Sequence, residues 1–158
     1  MDLMPNPLTE RLNRVPLAAF PTMYRELEAP TLGQLVGTHR SAFVGPAWLR
    51  SIAPPGLALG GLGGWWGKRF DASGSGVNLV MRAGKPEAIL PVRLEFRSSR
   101  VDARTTACVL YPPESRWPWP HVLDELRVLE PGCLLGLTFF QIGVFSNLPL
   151  PFMLLRQE

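Results

Sequence analysis

Proline and glycine interrupt this chain so often, 17 and 15 times in 158 residues, that few intervals are long enough for an extended helix. Proline removes the amide donor a helix interior needs, and glycine loses the most backbone entropy on ordering. What remains is a string of short segments. The first third keeps helical spacing: Leu8, Leu12 and Val15 fall on one face between Asn6 and Leu17, with Pro7 suited to a first turn and Pro16 to an end. Tyr24 to Glu28 reads as a further turn, and Ala47 to Ile52 as a short helix that Pro54 and Pro55 should stop. Thr31 to Val44 is divided, helical at Leu32, Leu35 and Val36 and open to an extended reading from Thr38 onward.

From Gly64 the pattern turns to β. Trp65 to Phe70 and Val77 to Arg82 read as strands, and Ala83 to Pro86 as the turn into the next, Glu87 to Val101. In that third segment Leu90, Val92, Leu94 and Phe96 alternate with Arg93, Glu95 and Arg97, the period of a half-buried strand. Thr105 to Tyr111 supplies a partner, and Pro112 to Pro120 is too rich in proline for regular structure. The second half of His121 to Glu130, then Cys133 to Ile142 across the Pro131-Gly132 turn, make another hairpin; a loop from Gly143 to Leu150 leads to a last strand, Phe152 to Arg156. Hairpins in series leave two exposed sheet edges unless the sheet closes on itself. The expected fold is therefore mainly β, a small antiparallel up-and-down β-barrel with short N-terminal helices; a curved open sheet packed on helices is the alternative. It is read as a single domain over 1–158, with 1–58 a partly helical cap and first-strand region and 64–157 the antiparallel strands.

Composition narrows the partners. A hydrophobic content of 46% against 18% charged residues is enough to fill a core or line a pocket. The net charge of +3 is spread among 13 carboxylates with no basic stripe, which argues against nucleic acid. No apolar run approaches the ~20 residues of a membrane span, and Met1 to Pro5 lacks the features of a secretory leader. A reducing cytoplasm is expected, with Cys108 and Cys133 buried as small hydrophobes, although the sequence leaves open whether the two meet. Neither histidine has a second ligand at metal spacing, and the glycines of 60–67 match no phosphate or dinucleotide loop, so no cofactor or metal is expected.

The candidate site residues follow from the barrel. Trp65 and Trp66 are adjacent, so on a strand they serve opposite faces: one packs, and the other can stack on an apolar guest. Of Lys68 and Arg69, one points inward if there is a cavity, and Arg69 is the better bidentate partner for a polar end. Phe96, Phe139 and Phe140 are aromatic residues of expected strands that can line the same space. Arg97, with Arg93 and Glu95, either forms cross-strand ion pairs facing water or fixes a polar head group inside; Glu125 and Arg127 pose the same choice. His39 and His121 have unperturbed pKa values suited to acid-base work near neutrality. Tyr111 and Asp124 are further groups that can move or hold a proton.

The runs Gly37 to Ser41 and Gly64 to Phe70, the latter reading Gly-Trp-Trp-Gly-Lys-Arg-Phe, resemble the bacterial GXWXG family. Leu94 to Val101 and Leu135 to Phe139 are similar to the uncharacterised domain that commonly accompanies it. The chain departs from the pattern at His39, where the family has its name-giving tryptophan. The resemblance implies a lipocalin-like or fatty-acid-binding-protein-like barrel and carries no activity with it. Taken with the aromatic strands, the expected function is binding of a hydrophobic small molecule such as a lipid, terpenoid or polyketide inside the barrel. The alternative is a cofactor-free isomerase or cyclase that folds such a molecule into a reactive shape in the same cavity, with His39, His121 or Tyr111 moving the proton. An interior filled by side chains would instead indicate a structural module.

Overall fold

The computed structural model describes residues 6–143 and 146–158; Met1 to Pro5, on which the expectation about a secretory leader rests, and positions 144 and 145 of the loop expected over 143–150, lie outside the described residues. Eight antiparallel strands close into a barrel in which every strand pairs with its sequence neighbours and the last returns to the first. They are β1 (Gly37–Phe43), β2 (Trp65–Phe70), β3 (Ser75–Arg82), β4 (Lys85–Ser98), β5 (Thr105–Leu110), β6 (Val122–Glu130), β7 (Cys133–Phe140) and β8 (Leu150–Arg156). Closure runs from His39 opposite Arg156 to Phe43 opposite Phe152, so neither edge is left to recruit another strand.

Short helices decorate the barrel: α1 (Pro7–Leu12), α2 (Phe20–Arg25), α3 (Leu32–Leu35) and α4 (Ala47–Leu59). Asn6 caps α1 by accepting from the Leu8 amide, and a reciprocal Thr31–Gln34 capping box starts α3. The divided reading of Thr31 to Val44 resolves into both of its halves, α3 followed by β1. One helix is longer than expected: α4 continues through Pro54 and Pro55 to Leu59. The fixed proline φ is compatible with a helix, and both rings stand on its exposed side, where water can serve the carbonyls left without an amide donor.

Strand alternation separates two apolar layers. Inside the barrel Phe70, Val80, Val92, Leu94, Val109 and Leu126 pack together. Outside, Leu8, Leu12, Phe20 and Tyr24 of the N-terminal helices cover Cys108, Leu135, Leu137 and Met153. Both cysteines lie in this outer layer as free thiols, and burial pushes each up to about 12. Two glycines permit the closest approaches. A Cβ on Gly67 would fall 1.9 Å from the His39 carbonyl oxygen across the β1–β2 ladder. On Gly136 it would fall 2.2 Å from the Phe152 ring, which occupies the interior over that strand. No helix among the described residues is long and apolar enough to cross a membrane.

Candidate functional site

The interior is packed at one end and hollow at the other. A cavity of about 500 Å³ opens where β1, β5 and β7 finish and β2, β6 and β8 begin. Its rim is α4 together with the proline-rich loop before β6. Trp119 fixes that loop by donating from Nε1 to the Gly60 carbonyl at 2.7 Å, and Arg116 adds a bond from Nη2 to the Leu59 carbonyl at 3.0 Å. Large apolar side chains remain uncovered at the rim, among them Trp117 at 68% and Trp48 at 52% exposure. Trp65, Phe140 and Phe152 form an aromatic wall; Trp65 meets Phe152 edge-on at 5.6 Å between ring centroids.

Against these apolar walls lies one polar cluster. Lys68, 1% exposed, donates from Nζ to Asn78 Oδ1 at 2.7 Å and to Tyr111 Oη at 2.9 Å. Tyr111 in turn donates to Asp124 Oδ2 at 2.9 Å, and Thr138 donates to Asp124 Oδ1 at 2.8 Å. The Lys68 ammonium stands 3.5 Å from Asp124 Oδ2 and above the faces of Trp65 and Tyr111, 5.5 and 5.2 Å from their centroids. Asn78 is held by a bond from its Nδ2 to the Leu90 carbonyl at 3.0 Å, and Trp65 Nε1 also donates to its Oδ1 at 3.2 Å. Burial pushes the Lys68 amine below its ordinary value, with Asp124 pulling the other way. Burial and the Asp124 charge raise the Tyr111 phenol well above its own, so it stays protonated and remains a donor. A proton can thus be offered, held or accepted at a cluster whose titratable side chains are themselves buried.

The structure sorts the sequence candidates by place. Trp65, Phe140 and Tyr111 line the cavity, together with Asp124. Lys68 takes the inward position expected of Arg69, and the reason is a β-bulge: the β2–β3 register shifts between Trp65 and Gly67. Unbroken alternation from an inward Trp65 would turn Gly67 and Arg69 inward. The extra residue resets the parity, so Lys68 and Phe70 face in and Arg69 is exposed. Trp66 lies on the outer face, under the Arg40 guanidinium at 5.7 Å. Phe139 also points outward, buried in the layer beneath the helices. Phe96 keeps step with Val92 and Leu94 yet is 47% exposed, because β4 runs beyond the packed interior at the far end. Arg97 is exposed too, its Nη2 2.6 Å from Glu95 Oε2, so the outward ion-pair reading applies to it.

Neither histidine reaches the cavity wall. His39 is opposite Lys68 in the β1–β2 register, but its Nε2 donates to the Leu35 carbonyl at 2.7 Å and burial lowers its pKa. His121 is half-buried in the turn that leads into β6 and is not among the lining residues. Asn78, Thr138 and Trp119 belong to the site and were not singled out by sequence. A polar residue in mid-strand, Asn78 between Val77 and Leu79, is the one signal that pointed there. Among the described residues no group of His, Cys, Asp and Glu gathers as a metal site.

These features define a closed, eight-stranded antiparallel β-barrel with an apolar cavity at one end and a lysine-aspartate cluster in its wall. No family model matches the chain, and no curated protein does. A protein from Thermomonospora curvata, known as a crystal structure, is similar in fold, with a TM-score of 0.66 and 20% identity over 89% of this chain and 87% of that one. The likeness is one of architecture.

Proposed function

We propose that the barrel binds a hydrophobic small molecule, of the lipid, terpenoid or polyketide kind, with its apolar body against Trp65, Phe140 and Phe152 and its polar end at Lys68, Tyr111 and Asp124. The observation that carries this reading is the combination of a roomy apolar cavity with a buried polar cluster in its wall. Ligand sites of this size are mostly apolar and use a few convergent polar groups to set orientation. The resemblance of Gly64 to Phe70 to the GXWXG family, with the lipocalin-like barrel it implies, agrees with such a role. Free, buried Cys108 and Cys133 are compatible with work in a reducing compartment.

Four of the five tryptophans, all but Trp66, line the cavity, which provides an intrinsic reporter. Titration with decan-1-ol should quench their fluorescence saturably. Trp65→Ala should weaken binding about tenfold, a loss of about 1.4 kcal/mol, and Trp66→Ala should leave it unchanged, with circular dichroism confirming that both variants are folded. Absence of saturable quenching, or equal effects of the two substitutions, would remove the proposal.

A second reading is a cofactor-free isomerase or cyclase acting on the same guest. The contiguous donors and acceptor of Lys68, Tyr111 and Asp124 favour it, since proton movement needs titratable groups in contact. The histidines have no part in this version. Native mass spectrometry of the purified protein, followed over time with any co-purifying compound, separates the readings: an unchanged guest mass and retention time indicate a carrier, and a converted guest an enzyme.

A further inference from the structure

Lysine is scarce in this chain. Arginine accounts for 14 of its 16 basic side chains, and the two lysines are Lys68 in the cavity and Lys85 in the exposed β3–β4 hairpin. Where the protein buries a cation for cohesion, it uses arginine: Arg127 grips Asp102 with two nitrogens at 2.7 and 2.8 Å. Guanidinium is better suited to such a grip and cannot shed its proton inside a protein. Lysine can become a neutral amine, and that difference matters only if the amine reacts or changes charge.

The surroundings of Nζ favour reaction with one kind of guest. Lys68 and Asp124 are present in equal number, so the cluster has no spare positive charge. A carboxylate held at this cluster would add a negative charge that Lys68 and Asp124 leave unpaired, with Arg50, the other cation on the lining, half-buried at the Gly45 carbonyl, whereas a neutral carbonyl compound leaves the balance of the cluster intact. Two bonds from Nζ, to Asn78 and to Tyr111, fix the amine against the cavity wall. The base within reach of its proton is Asp124 Oδ2, 3.5 Å away. Burial, which lowers the affinity of Nζ for that proton, acts in the same direction.

We propose that Lys68 is the reactive amine of a covalent site that captures an apolar aldehyde as a reversible imine. The proposal rests on the cavity being a ligand site and adds a substrate class to it. In the step, Lys68 gives up one proton to Asp124, and the Nζ lone pair forms a bond to the aldehyde carbon. The aldehyde oxygen picks up that proton to become the hydroxyl of a carbinolamine. The carbon–oxygen bond then breaks, the oxygen leaves as water with the second hydrogen of the amine, and the carbon–nitrogen double bond remains. No oxidant or reductant is consumed, and water reverses the step.

The test uses the full chain with decanal and sodium cyanoborohydride, which reduces an imine to a stable secondary amine. Intact mass and peptide mapping should place the adduct on Lys68 at least about tenfold more than on Lys85, the exposed reference amine in the same molecule. Decan-1-ol should protect Lys68 and leave labelling of Lys85 unchanged. Lys68→Arg, which keeps the charge but has no amine to form an imine, should abolish the cavity adduct; Lys85→Arg should retain it. Equal labelling of the two lysines overturns the proposal. So does quenching by decanal without an adduct, and in that case the cavity reading stands. Failure of both decanal and decan-1-ol to quench removes the binding reading as well. Because the adduct is mapped on the wild-type protein, its location does not depend on how the variants fold.

Discussion

Arg127 and Lys68 are both sealed from solvent and both face an aspartate, yet their surroundings differ in one respect. Arg127 projects outward from β6 beneath the N-terminal helices. It holds Asp102 bidentately, donates to the Tyr24 carbonyl at 3.1 Å and lies 4.5 Å from the centroid of the Tyr24 ring. Tyr24 adds a hydroxyl contact to Thr106, so helix α2 is bound to the barrel through this one cluster. Lys68 sits farther from its carboxylate and borders a hollow. A buried charge enclosed on every side by protein groups serves cohesion; one that borders a cavity retains capacity for something that is not part of the chain.

The sharpest way to break this contrast is to remove each cation in turn. Arg127→Met strands Asp102 and releases α2, and it should lower the unfolding free energy by about 3–5 kcal/mol, read from the urea midpoint at constant slope. A cost near zero would mean the outer pair holds nothing together. Acid should reveal the same pair. The hydrogen bonds from Arg127 hold the Asp102 carboxyl down to about 2, from an ordinary 3.8. A depressed carboxylate gives stability that is full above its unfolded value and is lost as pH falls toward the folded one. Wild type should therefore lose stability relative to Asp102→Asn between about pH 4 and pH 2. Glu125, which burial pushes upward, titrates in both proteins, and because it also feels the Asp102 charge the difference reports the two carboxyls together. Lys68→Met should cost less, about 1–2 kcal/mol, because Asp124 keeps its bonds from Tyr111 and Thr138 and lies on the cavity. If the two lysine and arginine losses proved equal, the cavity cluster would be a structural clamp like the outer one.

The same contrast explains what the sequence made legible. All the strands from Trp65 onward, and the closure of the sheet, follow from short alternating segments and turn signals, because strand pairing is local in an up-and-down barrel. Which residues face the hollow is harder, since facing is counted along a strand and one inserted residue inverts the count. The bulge after Trp65 did this, exchanging Arg69 for Lys68. Phe96 failed for a second reason: alternation fixes the side of a strand and is silent on how far along it the interior extends. The outward but covered positions of Glu125 and Arg127 were beyond reach too, because nothing local shows that helices from the first 25 residues fold over β6. Proline inside α4 misled in the opposite direction, a strong local rule relaxed on an exposed face.

The finest distinction is between an ion pair in water and a hydrogen bond in the cavity wall. Thr138→Val removes one donor from Asp124 Oδ1 and should cost about 1 kcal/mol. Its effect on decan-1-ol should be measurable, since the freed oxygen lies where the guest's polar end is placed. Arg97→Ala breaks a shorter contact, 2.6 Å to Glu95, yet both side chains meet solvent, with 52% and 35% exposure. Side-chain entropy and screening offset most of such a pair, so the change should stay below about 0.5 kcal/mol and leave decan-1-ol quenching untouched. Distance alone would rank the two the other way. A loss of ligand affinity in Arg97→Ala would place the exposed end of β4 in the binding site and shift the hollow toward the opposite end of the barrel.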